Sequence, residues 1–165
     1  MTATATATAN PTLVERRSAR ELVVTRAFAA PARVVFDAWT RPEYLRRWWA
    51  PCSRGVKLLE CTADVRVGGA YRYVFGRPGE PAMAFSGTYS EVVVPTRLVF
   101  TQVFEPMADV GAAIVTTTFT EQGARTVLEI HQLFPSKEAL DGAVASGMED
   151  GMRETFDQLA TVVAG

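Results

Sequence analysis

The chain has 165 residues, 48% of them apolar and 21% charged, with a formal net charge of −1. That length suits one domain with a sizeable core that needs neither disulfide nor metal. The near-zero charge argues against nucleic acid as the main partner, and no apolar run approaches the roughly 18 residues of a membrane span.

The opening MTATATATANP lacks the basic start and apolar stretch of a secretory signal, so a cytoplasmic location is expected. Charge is divided unevenly: residues 1–100 carry a net +6 and residues 101–165 a net −7. Two halves that fold against each other with complementary fields explain such a division. Residues 1–18, a Thr-Ala run followed by NPTLVERRS, gain little by ordering and read as a disordered or loosely attached arm. Residues 19–165 read as a single domain.

ELVVTRAF (21–28) alternates as a strand, with Leu22, Val24 and Phe28 on one side. Pro31 suits the first turn of a short helix whose Val34, Val35 and Ala38 cluster on one face. Thr40-Arg41-Pro42-Glu43 has the pattern of a capping box and opens a second short helix, which Pro51 ends. From Val56 to Phe134 the alternation is that of antiparallel sheet, punctuated by Gly68-Gly69, RPGEP, Pro95, EPMADVG and Glu121-Gln122-Gly123. With residues 21–28 this makes about seven strands. Ser136 then caps a long helix to about residue 163, in which Leu140, Val144, Met148, Met152, Phe156, Leu159 and Val163 recur every three or four positions.

The implied fold class is α+β: a curved antiparallel sheet with two short helices after its first strand and a long C-terminal helix across it. Only that helix is able to cover the apolar face of the sheet. A cavity is expected where the curved surface and the helix diverge.

Four segments in this order, FAAPARVVFDAWTRPEYLRRWWAP, DVRVGGAYRY, GTYSEVVVPTRLVFTQVF and GMEDGMRETFDQLA, resemble the START/Bet v 1-like (SRPBCC) superfamily. Within it the chain is similar to the branch related to the C-terminal domain of the activator of the heat-shock protein 90 ATPase. The resemblance spans residues 20–163, with one departure: Met152 stands where the branch often has Trp after the second Gly of its C-terminal pattern. It implies a helix-grip fold with a hydrophobic cavity. The superfamily includes lipid carriers, polyketide cyclases and hormone receptors, so the fold alone does not fix a function.

Strand parity selects the inward side chains. In the last strand Thr126, Leu128, Ile130, Gln132 and Phe134 share the more apolar face, which places His131 on the outer one. Leu98, Phe100, Gln102 and Phe104 share a face of their strand, so Gln102 and Gln132 are polar residues on apolar inner faces. Each needs a partner: the other, backbone, water, or the polar end of a guest. Tyr71, Tyr73 and Phe75 line up on one strand, and Met83, Phe85, Gly87 and Tyr89 on the next, as core or as pocket wall. Trp48 and Trp49 fit either a ligand-stacking lid or a core plug. Gly147 and Gly151 remove volume beside Met148 and Met152, so either the sheet backbone approaches closely there or space is left for a guest.

Catalytic arrangements are scarce. There is one histidine, no GxSxG, no dinucleotide fingerprint at Gly68-Gly69, and no base beside Cys52 or Cys61. No catalytic residue, metal site or cofactor is expected. The leading reading is binding of a small hydrophobic molecule (a lipid, polyketide or aromatic metabolite) by Trp48, Trp49, Tyr71, Tyr73, Phe85, Tyr89, Phe100, Gln102, Gln132, Met148 and Met152. The alternatives are a polyketide cyclase or aromatase-like enzyme and a chaperone-activator-like interaction domain. Strand edges leave room for a homodimer.

Overall fold

In the computed structural model, which describes residues 11–164, the alternating segments pair into one eight-stranded antiparallel sheet. The strands are β1 (Leu13–Arg16), β2 (Glu21–Phe28), β3 (Lys57–Ala63), β4 (Ala70–Gly76), β5 (Met83–Val93), β6 (Arg97–Phe104), β7 (Ala113–Gln122) and β8 (Arg125–Leu133). Their order across the sheet is β1-β2-β8-β7-β6-β5-β4-β3. Among the described residues four α-helices accompany it: α1 (Ala32–Thr40), α2 (Pro42–Trp48), α3 (Lys137–Ala145) and α4 (Met148–Ala164). No helix among the described residues is long and apolar enough to cross a membrane.

The strand beyond the expected seven is β1, so the sheet begins ahead of the boundary expected at Ala19. Val14 packs against the core, and buried Thr12 accepts a hydrogen bond of 3.2 Å from Arg26 Nη1. The first ten residues of the expected arm lie outside the described residues.

Three local expectations are corrected. The α1–α2 boundary falls at Arg41, but no capping box forms: Thr40 is the last residue of α1, and its hydroxyl donates to Phe36 O at 2.8 Å. Pro42 at the first position of α2 supplies the start instead. The buried side of α1 carries Val35, Phe36 and Ala38, whereas Val34 is 41% exposed. Finally, the long C-terminal helix is interrupted. Ser136 Oγ does accept from Ala139 N at 3.1 Å, but α3 ends at Ser146-Gly147, where Gly147 adopts φ +86°. A glycine in the left-handed region just past a helix end is a C-terminal stop.

The core fills one end of the concave face. Phe28 meets Phe156 of α4 edge-on at 6.3 Å, Phe36 meets Phe119 at 5.2 Å, and the Trp48 indole donates to Ala38 O at 2.8 Å. Leu128, Leu159, Val24 and Leu45 close the gaps between them. Among these sits Arg26, on the inner face of β2 and 8% exposed, whose Nη1 reaches Asp157 Oδ1 of α4 at 2.7 Å. The two oppositely charged halves are joined by such pairs, including Arg16–Asp141 at 2.7 Å and Arg72–Glu105 at 2.8 Å.

Curvature is built into the middle of the sheet. The β5–β6 register shifts between Tyr89 and Glu91, and a Cβ on Gly87 would stand 1.8 Å from the Thr101 carbonyl oxygen. That carbonyl accepts from the Tyr71 hydroxyl at 2.7 Å, and Thr101 Oγ1 accepts from Thr88 N at 3.0 Å. Gly87 is thus a position where only a missing side chain lets two backbones approach. Gly87→Ala is expected to lower unfolding stability by roughly 2–3 kcal/mol, read as a fall in the urea midpoint at unchanged slope.

Candidate functional site

Away from the aromatic plug, the concave face encloses a cavity of about 1000 Å³. β4, β5 and β6 supply its aromatic wall, because the residues that share their inner faces are Tyr71 and Tyr73, Phe85 and Tyr89, and Phe100 and Phe104. Tyr71 stands 5.0 Å from Tyr73, 5.5 Å from Tyr89 and 5.5 Å from Phe100, as a continuous ring cluster. Trp48 presents its cavity side while remaining 3% exposed, so it serves the core plug as well. Trp49 is half-buried and sits against Tyr73, Phe75 and Phe85 at 5.2–5.9 Å. Met148 and Met152 of α4 face the wall, and Gln102 and Gln132 complete the set. Every residue singled out as a binding candidate therefore borders this one cavity.

Apart from Glu138 at the rim, the side of α3 that borders the cavity is small: Ala139, Gly142, Ala143 and, at its C-terminal cap, Ser146. A Cβ on Gly142 would meet nothing within 4 Å, and one on Gly151 would meet only Arg54 Nη1 at 3.9 Å. Of the two readings of Gly147 and Gly151, close backbone approach does not hold: a Cβ on Gly147 would also meet nothing within 4 Å, and Gly147 is a glycine for its positive φ at the helix stop.

The two glutamines do not pair. Gln102 lies opposite Ala113 and Gln132 opposite Val115, with β7 between them. Two strand spacings, roughly 10 Å, separate β6 from β8. Gln132 is 5% exposed, and its Oε1 is buried with no hydrogen-bond partner. A second buried polar atom without a partner, Trp39 Nε1, also belongs to a cavity residue. Sequence reasoning missed Trp39. The signal was Phe36-x-x-Trp39 at helical spacing, hidden when the apolar face was centred on Val34.

Burial dominates the electrostatics. It pushes the Tyr89 hydroxyl up to about 12 and those of Tyr71 and Tyr73 well above the usual phenol range. The cavity tyrosines are therefore neutral hydrogen-bond donors and not bases. Cys61, opposite Tyr73, is held up to about 11 by burial, while Cys52 is exposed. The charged lining residues, Arg54, Arg77 and Glu138, all lie exposed at the rim. Arg77 Nε donates to the Arg54 carbonyl at 2.5 Å. His131 stays outside the cavity, with Nε2 2.8 Å from Glu21 Oε2, and the bond holds the Glu21 carboxyl below the usual range. The arrangement can hold an apolar body and offer a few hydrogen bonds. It contains no nucleophile set beside a base.

These shifts fix a pH window. A group whose proton is held more tightly when folded stabilises the fold below its unfolded pKa and loses that contribution as pH rises. Stability is expected to decline from about pH 9, first through Cys61 and then through the tyrosines. Ultraviolet titration of the folded protein to pH 11 should leave Tyr71, Tyr73 and Tyr89 largely un-ionised, and urea should release them.

Comparisons agree with this geometry. The family model described as Activator of Hsp90 ATPase homolog 1-like protein matches residues 29–164, so the chain belongs to that family. A crystal structure of a Rhodobacter sphaeroides protein shares 25% identity at a TM-score of 0.83, covering 93% of this chain and 97% of its own. One from Chromobacterium violaceum shares 28% at 0.72, covering 88% and 98%. The solution structure of CalU16 from Micromonospora echinospora shares 25% at 0.63, covering 95% and 76%. No curated protein matches the chain. The fold is the helix-grip fold that the sequence motifs implied.

Proposed function

We propose that this family member binds a small hydrophobic molecule, a lipid, polyketide or aromatic metabolite, in the cavity between the curved sheet and α3–α4. The observation that carries the reading is the aromatic-walled space of about 1000 Å³ that the small side of α3 leaves unfilled. Ligand sites are concave, mostly apolar and of roughly 300–1000 Å³. A guest covering about 200 Å² of that wall gains on the order of 5 kcal/mol before the costs of association. The only carboxylate of the lining, Glu138, stands at the exposed rim, and the tyrosine hydroxyls are held neutral. That inventory favours holding a guest over transforming it.

Displacement of the dye 1-anilinonaphthalene-8-sulfonate by a panel of fatty acids, flavonoids and polycyclic aromatics tests the reading. Saturable one-to-one displacement is expected for at least one class, and its absence across the panel rejects the reading. Ala143→Phe, which fills space from the half-buried face of α3, should weaken that binding at least about tenfold with little change in the unfolding midpoint.

A further inference from the structure

We propose that the guest is a neutral, ring-built molecule bearing a hydroxyl, and that Gln132 Oε1 is the anchor that accepts its hydrogen bond; this rests on the cavity reading above. Gln132 projects from the inner face of β8 between Leu22 of β2 and Val115 of β7, with Ile130 and Phe134 as its neighbours along the strand. It is 5% exposed, and its amide oxygen has no partner. A buried acceptor left unpaired is costly, and a lone one in an otherwise apolar wall is a place where a polar atom of a guest belongs.

Three donors of the lining are already engaged. The Tyr71 hydroxyl serves Thr101 O, the Trp48 indole serves Ala38 O, and the Tyr73 hydroxyl donates to that of Tyr89. Gln102 stands two strands away. A guest hydroxyl fits the remaining acceptor, and the free Trp39 N–H offers a donor to a second guest oxygen elsewhere along the wall.

Charge decides the rest of the class. No cation lies among the neighbours of Gln132; Arg54 and Arg77 are at the rim. A carboxylate brought to Gln132 would lose its water without gaining a counter-ion. The wall of Tyr71, Phe100 and their neighbours offers edge and face contacts that suit rings, and a rigid guest loses less entropy on binding than a flexible chain.

Pyrene, 1-hydroxypyrene and 1-pyrenecarboxylate share one ring system and report binding by their own fluorescence. The wild type is expected to bind 1-hydroxypyrene about tenfold more tightly than pyrene, and the carboxylate no better than pyrene. Gln132→Leu should erase the hydroxyl preference by weakening 1-hydroxypyrene while pyrene binding is kept. Without its unpaired oxygen, the unliganded variant should melt roughly 2–6 °C higher than wild type. Gln132→Met, closer in shape, should repeat both results. An unchanged preference in the variants, a lowered melting midpoint in both, or tightest binding of the carboxylate overturns the proposal while leaving the cavity reading intact. If no pyrene probe binds the wild type and the dye panel is equally silent, the cavity reading has failed, and the Gln132 anchor fails with it.

Discussion

Phe28, Trp48 and Phe156 meet where α2 and α4 cross the concave face, and that contact divides the inner surface into a filled end and an open one. The sheet curves because Gly87 lets the Thr101 carbonyl turn inward and because the registers of β3–β4 and β5–β6 each shift along their length. A helical segment able to follow that curve with large side chains would complete an ordinary core. This one breaks at Gly147, and the side of α3 that looks over the open end carries alanine, glycine and serine. The cavity is thus the consequence of small residues placed opposite a curved aromatic wall, and its size follows from what α3 lacks.

Much of this was legible as alternation. Inner and outer faces follow parity without exception from Thr126 to Gln132, and the same rule puts Tyr71 and Tyr73 opposite Gly87 and Phe85. The strand-borne binding candidates emerged from parity, Trp48, Trp49, Met148 and Met152 from the helices, and all border one cavity. What escaped were features decided by single atoms or by distant contacts. Periodicity continues across Gly147, so nothing in the pattern of Leu140, Val144 and Met148 marks the break; only the backbone angle does. Arg26 reads as a polar interruption in β2, and its burial depends on Asp157, 131 residues away. Thr40 sits in a sequence that fits a capping box, yet its hydroxyl returns to Phe36 O, because a threonine at the last helical position has a carbonyl within reach.

The lopsided charge of the chain is met in part within the fold. Arg16, Arg26 and Arg72 of the basic half meet Asp141, Asp157 and Glu105 of the acidic half, so opposite charges pair across the fold. The ionic contacts are spread around the domain and leave the cavity interior without a fixed charge. Burial keeps the phenols of its wall protonated, and likewise the buried Cys61 thiol of β3. On the proposed reading such a space selects by shape and by one or two neutral hydrogen bonds, which is a different basis for discrimination from ion pairing.

An apolar residue at position 132 would suit the local packing better than glutamine does. A folded domain retains only about 5–15 kcal/mol of net stability, and an unpaired buried amide oxygen removes roughly 1–3 kcal/mol of it. Strand propensity gives no reason for glutamine there, since the inner neighbours Ile130 and Leu128 show what that face otherwise accepts. Local rules are broken where a site needs them broken. On the proposed reading the cost falls on the empty protein and is recovered when a guest hydroxyl fills the acceptor. The same atom that weakens the unliganded fold is therefore the one that distinguishes a matching guest from a bare hydrocarbon of equal size.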